Sequence, residues 1–229
     1  MDTEDSEDSN MRKSIRNLIC QILSFGLILS LAACGNAKNS TENNPAVSPE
    51  QTNESANGAS ADADGSASEG SRVLVVYFSR TGEQYTVGVI DHGNTAIVAE
   101  MIAEETGADL FEVLPEDDHY PMTYAELTDV AKKEQKENAR PAYAGEVPDL
   151  SQYDTVFIGS PVWWGDWPMI MYTFFEENEE ALSGKTLVPF STHEGSGLSG
   201  FDKKLSSSIP GSTVLRGLTM HASSQERIS

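Results

Sequence analysis

Hydroxyl and glycine residues follow directly after an apolar run in this chain. The run Val73–Phe78 ends in Ser79-Arg80-Thr81-Gly82, and Asn94-Thr95 later opens a segment of helical periodicity. Helix N-termini attract anions, because their first backbone N–H groups are unpaired and the helix dipole is positive there. Ser and Thr hydroxyls add donors without needing a cationic side chain. The pattern therefore predicts a site for a monophosphate group.

Two more segments have the composition of ligand-binding loops. Ile158–Asp166 carries the adjacent Trp163 and Trp164, and Ser191–Gly197 is rich in glycine and hydroxyl residues. Each of the two segments continues from an apolar run. The third tryptophan, Trp167, is followed by proline, and we expect it to be a core residue.

Short apolar runs alternate with helical periodicity through the second half of the chain. We expect strands at 73–78, 110–114, 155–159, 186–190 and 213–220, and helices at 94–106, 124–138, 169–175 and 201–207. The alternation predicts an α/β fold, a doubly wound parallel sheet with helices on both faces. Such sheets bind ligands beyond the carboxyl ends of their strands, which is where the three loops lie.

The motifs Tyr77–Gly82, Ile158–Asp166 and Ser191–Gly197 together resemble those of the flavodoxin family, over residues 72–220. The resemblance implies five parallel strands in the order 2-1-3-4-5, with flavin mononucleotide (FMN) where the strand order reverses. The cofactor-binding residues that it implies are Ser79, Arg80, Thr81, Gly82, Asn94, Thr95, Pro161, Val162, Trp163, Trp164, Gly165, Thr192, His193, Glu194, Gly195, Ser196 and Gly197.

The resemblance also implies a role for each loop. The first loop and the helix start at Asn94 would hold the phosphate, and the loops at 161–165 and 192–197 would flank the flavin ring. Trp163 or Trp164 would stack on that ring, and the Gly165 carbonyl would turn toward it. For His193 two interpretations stay open: a hydrogen bond or proton for the flavin, or a solvated surface histidine.

The first loop departs from the family pattern. Short-loop relatives run without a break from the Thr-Gly pair to the helix, whereas 11 residues separate Gly82 from Asn94 here. Either Gly82 or Gly93 can fill the family's glycine position. Residues 88–95 are spaced like a Walker A loop, but Asn94 stands where the lysine is needed, which argues against a nucleotidase.

The amino terminus has the pattern of an export signal. Met11, the expected true start, precedes three basic residues and an apolar stretch over residues 18–31. Leu31–Cys34 then resembles the bacterial lipobox, so we expect a signal peptide over 1–33 and lipidation at Cys34. Residues 35–70 have a linker composition with a reach of about 33 Å, and the folded domain is expected over 71–229.

Composition excludes several functions. Removal of residues 1–33 takes away five acidic and three basic residues, and a net charge of −21 becomes about −19. Nucleic acid is therefore not expected as a partner. The only other cysteine, Cys20, leaves with the signal, so the mature chain can form no internal disulfide. The four histidines are too scattered to predict a metal site.

These observations favour an exported bacterial lipoprotein on the outer face of the cytoplasmic membrane, whose domain binds FMN and passes electrons. Its partners would be redox proteins or small electron donors and acceptors. One alternative is an NAD(P)H-dependent FMN or quinone reductase, because the loop after the fourth strand has no aromatic residue to cover the flavin. Another is a flavin-binding module without a redox partner.

The segment after the fifth strand is too short for the closing helix of a doubly wound sheet. Only Ala222–Ser229 follow that strand. We therefore expect one sheet face to be partly uncovered near Val214, Leu215 and Leu218, which would favour self-association or low stability.

The lipobox makes a direct prediction. Labelled palmitate should enter the protein in a bacterial host, and the Cys34→Ser variant should lose the label because it lacks the modified thiol. Label that persists in this variant would contradict the lipobox interpretation, since Cys20 is then the only thiol left.

Overall fold

The computed structural model describes residues 9–20 and 72–222. Cys34 and the predicted linker lie outside these residues. The strands are β1 (Val73–Tyr77), β2 (Gly82–Gln84), β3 (Gly88–Ile90), β4 (Asp109–Glu112), β5 (Leu114–Pro115), β6 (Tyr143–Ala144), β7 (Thr155–Pro161), β8 (Thr186–His193), β9 (Thr213–Val214) and β10 (Leu218–His221). The helices are α1, described over residues 9–20, α2 (Asn94–Thr106), α3 (Tyr124–Glu137), α4 (Met169–Leu182) and α5 (Phe201–Ser208).

The central sheet has the predicted strand order. Its path is β10-β8-β7-β1-β4, and every pairing along it is parallel. Numbered by their order along the chain, these strands run 2-1-3-4-5, so the predicted topology is confirmed. Since β1 lies between β4 and β7, the strand order reverses there, and the carboxyl ends of β1 and β7 open a crevice.

Alternating side chains of β1 divide the core into two layers. Leu74 and Val76 pack with residues of α3, α4 and α5, whereas Val75 and Tyr77 face α2 on the other side of the sheet. All four side chains are buried. The two layers make both sheet faces apolar, as expected for a parallel sheet covered by helices.

The predicted fifth strand is divided into two short ones. Thr213–Val214 pairs with the start of β8, and Leu218 resumes the pairing opposite Phe190. Three residues therefore face two residues of β8 between these pairs, which is a bulge. One of those two is Pro189, which has no N–H to donate to a ladder.

Helix α4 and strand β4 end at other residues than predicted. Helix α4 continues to Leu182, seven residues beyond the predicted end at Phe175, because its glutamates occupy the solvent side while Leu182 reaches the core. The predicted strand 110–114 is β4, which ends at Glu112. Leu114 belongs to β5, which pairs with Tyr143–Ala144.

The 11-residue insertion forms an antiparallel hairpin. Strands β2 and β3 pair from Gly82 with Ile90 to Gln84 with Gly88. The Glu83 N–H donates to the Met122 carbonyl at 2.8 Å, and the Glu83 carboxylate accepts the Tyr124 N–H at 2.8 Å. The hairpin is thus attached to the first turn of α3.

Helix α1 packs in the layer of Leu215 and Leu218, two of the three residues expected on a partly uncovered sheet face, whereas Val214 packs in the other layer. Met11, Ile15 and Leu18 recur at helical spacing and pack in the same layer as Val188 and Leu218. Leu218 is only 8% exposed. Residues 9–20, the part of the export-signal segment that the structure describes, therefore form a packed helix. None of the helices within residues 9–20 and 72–222 is long and apolar enough to cross a membrane.

Ion pairs extend this contact to the rim of α2. The Arg16 Nε lies 2.6 Å from Glu105 Oε2, and an Arg12 nitrogen lies 3.0 Å from Glu104 Oε2. The hydrogen bond from Arg16 lowers the pKa of the Glu105 carboxyl. Such exposed pairs contribute little stability, so the apolar contacts account for most of the docking of α1.

Replacement of Ile15 by alanine tests this packing. Ile15 is fully buried, and such a truncation removes about 2 to 5 kcal/mol where the site cannot collapse. The melting temperature of the full-length chain should therefore fall. Asn17→Ala on the exposed side of the same helix should change it little. Equal melting temperatures for the two variants would mean that α1 does not stabilise the domain.

Candidate functional site

A cavity of about 380 Å³ lies at the carboxyl ends of β1, β7 and β8. Ten of the predicted site residues line it: Arg80, Asn94, Thr95, Pro161, Val162, Trp163, Trp164, Thr192, His193 and Glu194. The other seven lie in the surrounding loops and not on its wall: Ser79, Thr81, Gly82, Gly165, Gly195, Ser196 and Gly197. All three predicted loops thus meet at one place.

The first loop returns tightly against the end of β1. A Cβ atom on Gly93 would stand 2.2 Å from Ser79 Oγ and 2.8 Å from the Arg80 carbonyl oxygen, so only glycine fits. Ser79 Oγ accepts the Ala96 N–H at 3.1 Å, which caps the first turn of α2. Of the two candidate glycines, Gly93 is the one at the helix N-terminus, whereas Gly82 begins the hairpin.

Arg80 places a cation in the cavity wall. One guanidinium nitrogen donates to Asp118 Oδ1 and the other to the Tyr120 carbonyl, both at 2.9 Å. The side chain is 10% exposed, and among the described residues its buried Nε has no acceptor. The contacts of the two terminal nitrogens hold the guanidinium in place and leave its Nε–H unpaired within the described part of the chain.

A buried hydroxyl pair joins α2 to β8. Thr95 Oγ1 and Thr192 Oγ1 lie 2.8 Å apart, and both residues are almost completely buried. One hydroxyl donates to the other, so the pair keeps one hydrogen for another acceptor. Because the two residues also line the cavity, this polar pair lies next to the helix N-terminus.

The tryptophans of the second loop have different surroundings. Trp163 makes an edge contact with Phe78 at 5.4 Å between ring centroids, while Trp164 is 51% exposed at the mouth of the cavity. Trp164 has φ +51°, and its Nε1–H donates to the Thr128 carbonyl at 2.9 Å. Trp167 is 1% exposed and stacks on Phe201, so the prediction that it is a core residue is confirmed.

The Gly165 carbonyl has a partner of its own. It accepts a hydrogen bond from Lys204 Nζ at 2.6 Å, and Gly165 has φ +73°, in the region that favours glycine. A turn of this carbonyl toward the cavity, as the family resemblance implies, would break the bond to Lys204.

The third loop presents a histidine and a carboxylate to the cavity. His193 Nδ1 accepts the Gly195 N–H at 2.9 Å. Burial lowers the pKa of His193, and the neighbouring His221 lowers it further. His193 is therefore neutral near pH 7. Glu194 Oε2 accepts the Thr86 hydroxyl at 2.9 Å.

The sequence did not predict three parts of the wall. They are the hairpin, whose Glu83, Gln84 and Tyr85 line the cavity, helix α3, and Ala222 after β10. The helical pattern of α3 predicts Leu127, Val130 and Ala131 as inward-facing. Leu127 and Ala131 are buried and Val130 is half-buried against the core, but nothing in the pattern separates a core contact from a cavity wall. Only the insertion itself was a signal in the sequence.

The fold and the site together define a doubly wound α/β domain with a cation and a helix N-terminus at its topological switch point. Residues 72–229 match the family profile described as Flavodoxin. The chain therefore belongs to the flavodoxin family. Among curated proteins, none matches the chain.

Solved structures agree with this assignment. A candidate flavoprotein from Bacteroides eggerthii is 30% identical with a TM-score of 0.55, and the match covers 66% of this chain and 89% of that one. A candidate flavoprotein from Bacteroides uniformis is also 30% identical, with a TM-score of 0.53. This match covers 69% of this chain and 96% of that one. A Lactobacillus acidophilus flavoprotein in complex with FMN is 22% identical, with a TM-score of 0.53. The match covers 66% of this chain and 93% of that one, and it shows a shared fold.

A buried carboxylate supports the wall behind Arg80. Glu134 is 6% exposed and accepts hydrogen bonds from His119 Nε2 at 2.7 Å and the Tyr120 hydroxyl at 3.1 Å. The Arg80 guanidinium lies over the Tyr120 ring, with its Cζ 5.4 Å from the ring centroid. The hydrogen bond to Glu134 raises the pKa of His119, so the protonated histidine stabilises the folded state.

The contact between His119 and Glu134 predicts that the stability of the fold depends on pH. Stabilisation by His119 is complete below its unfolded pKa of about 6.5 and is lost as pH rises through the higher folded pKa. NMR titration should place the pKa of His119 above 6.5. In the Glu134→Gln variant, which removes the negative charge, the pKa should fall toward the unfolded value. An unchanged pKa in the variant would show that Glu134 is not the cause.

Proposed function

We propose that the chain binds FMN noncovalently in this cavity, with the phosphate at the start of α2. The observation that carries the proposal is the buried Nε–H of Arg80, which lacks an acceptor among the described residues while the rest of the guanidinium is held in place. A buried donor without a partner is costly, and a phosphate oxygen would satisfy it. The backbone start of α2 at Asn94 and the Thr95–Thr192 pair add donors nearby.

The remaining walls suit a flat aromatic ring. Trp163 and Trp164 lie on one loop, and Thr192, His193 and Glu194 on the next, so the ring would lie between them. The Lactobacillus acidophilus flavoprotein, which shares this fold, is in complex with FMN, and this supports FMN as the ligand. FMN supplies the redox chemistry, and the residues of this chain bind, orient and shield it.

Electron transfer is the function that we propose for the bound flavin. Reduction by NAD(P)H is the second candidate, because the loop after β8 brings no aromatic side chain to the cavity and so leaves space for a small substrate. The two carboxylates on the wall, Glu83 and Glu194, oppose an anionic nucleotide there. This charge favours a protein partner or a neutral compound as the electron donor or acceptor.

We also propose that the protein is exported and anchored outside the cytoplasmic membrane through Cys34. The lipobox and the linker composition support this proposal. Cleavage before Cys34 would remove α1 and uncover the apolar face at Leu218 and Met220. The precursor and the mature protein would then differ in stability and in the surface they expose.

A pair of matched arginines tests the phosphate site. Arg80→Gln should weaken FMN binding about 10- to 150-fold, because hydrogen bonds to charged groups contribute about 1.5 to 3 kcal/mol. The affinity of this variant for riboflavin, which lacks the phosphate, should fall by less than about threefold. Titration of the full chain with each flavin, followed by fluorescence quenching, measures both affinities.

Arg72→Gln is the control for this experiment. Arg72 also pairs with an aspartate, Asp109, and lies over a tyrosine ring, that of Tyr153, but it lies away from the cavity. The Arg72→Gln variant should bind FMN and riboflavin with the same affinities as the wild-type chain. Equal affinity of the wild-type chain for FMN and riboflavin would rule out the phosphate assignment.

A further inference from the structure

One side of helix α1 carries an apolar row flanked by arginines. Met11, Ile15 and Leu18 are buried in the layer that α2 and β10 also build. Arg12 and Arg16 each follow a residue of this row and lie one helical turn apart. This pattern is typical of an amphipathic helix that packs on an apolar surface with an acidic edge.

The surface that receives α1 combines an apolar floor with a carboxylate rim. The floor lies in the layer of Val188 from β8 and Leu218 from β10. The rim consists of Glu104 and Glu105, both in the last turn of α2. We call this surface, with its floor and its rim, the helix-docking face.

Glu105 fixes the position of the helix on this face. The Nε and Nη2 atoms of Arg16 donate to its two carboxylate oxygens at 2.6 Å and 3.0 Å. Arg12 donates to Glu104 at 3.0 Å and to Glu105 at 3.4 Å, and the Glu105 side chain is only 10% exposed. Bidentate pairs of this kind require one geometry, so the rim selects where the arginines of a docked helix lie.

The charge of the helix-docking face separates three kinds of occupant. A second copy of the chain would bring the same acidic rim and its own net charge of −21 to the contact, and like charges disfavour association. An anionic lipid surface is repelled for the same reason. A basic amphipathic helix matches both the floor and the rim, and α1 is an example of one.

We propose that the helix-docking face binds a basic amphipathic helix of a partner protein, and that α1 occupies the face until residues 1–33 are removed. The inference rests on the proposed cleavage before Cys34. The helix that fits has apolar residues at positions i, i+4 and i+7 and arginines at i+1 and i+5, as in α1. The uncleaved chain is then closed to the partner, because α1 competes from within the molecule.

Docking at this face leaves the FMN cavity open. Glu105 lies near the carboxyl end of α2, whereas Asn94 at the other end lines the cavity. At 1.5 Å per residue the two positions are about 17 Å apart along the helix. A docked helix therefore holds a partner beside the domain without covering the cavity, and the two binding events can be measured separately.

The test uses the full chain with a protease site placed in the linker, within residues 35–70. Cleavage after folding frees α1, and gel filtration removes the released fragment. A fluorescein-labelled peptide of residues 9–20 should then bind at least about tenfold more tightly than it binds the uncut chain, because tethered α1 competes at about millimolar effective concentration. Fluorescence anisotropy measures both affinities.

Charge reversal tests the selection of the arginines. The Arg16→Glu peptide should bind the cleaved chain about tenfold more weakly, because an ion pair becomes a repulsion. The Lys13→Glu peptide, changed equally in charge at an exposed position of the same helix, should bind less than about threefold more weakly. In the chain, Glu105→Arg should reverse the preference between the wild-type and Arg16→Glu peptides. Glu180→Arg, on the exposed side of α4, is the control and should keep it.

The possible results distinguish the parts of the proposal. Equal binding of the Arg16→Glu and Lys13→Glu peptides would overturn the charge selection, and a cleaved chain that dimerises and binds no peptide would make a second copy the occupant. If cleavage unfolds the domain, the wild-type peptide should restore its near-ultraviolet circular dichroism, whereas the Arg16→Glu peptide at the same concentration should not.

A loss of structure that neither peptide reverses would contradict the docking surface itself. Peptide binding needs no flavin, so a chain that fails to bind FMN would overturn the proposed cofactor and not this inference. A chain that keeps residues 1–33 in a bacterial host would overturn the proposed export and, with it, the partner.

Discussion

The close approach of Gly93 to the end of β1 is the constraint on which the site depends. Its backbone passes so near Ser79 and Arg80 that a Cβ atom would collide with both. This contact brings the N-terminus of α2 to the strand end after an inserted hairpin, and Ser79 then caps the first turn of the helix. The start of α2 therefore lies beside the end of β1, where we propose the phosphate, although the loop is longer.

The insertion adds a wall to the cavity while leaving that geometry intact. The hairpin is attached at one side to the start of α3 and at the other to Glu194. Within the part of the chain that the structure describes, Arg80 Nε and Glu194 Oε1 have no hydrogen-bond partner, although the other polar atoms of both side chains are held. A cation near the helix start and a carboxylate near the third loop give the cavity a positive and a negative end. FMN has a matching polarity, with an anionic phosphate at one end and an N–H donor on the ring.

Much of the fold could be predicted from the sequence, because its signals are local. Apolar runs and helical periodicity predicted the alternation of strands and helices and the bounds of α2. The family resemblance implied the strand order, and ten of the site residues that it implied line the cavity. The contacts of Arg80 and Glu194 could not be predicted, since their partners Asp118 and Thr86 are 38 and 108 positions away. The division of the fifth strand was also not predicted, and it falls opposite Pro189 in the neighbouring strand. The residues of α1 also resemble an export signal, and a periodic pattern alone does not tell an export signal from a helix that packs on the sheet.

The central claim is that this cavity holds FMN through its phosphate. The most direct measurement is the visible absorption spectrum of the full chain purified without added flavin, followed by chromatography of the flavin released on denaturation. The account predicts a flavin spectrum and the release of FMN alone. Release of riboflavin or of a dinucleotide, or a colourless protein that stays colourless after incubation with FMN, would contradict it.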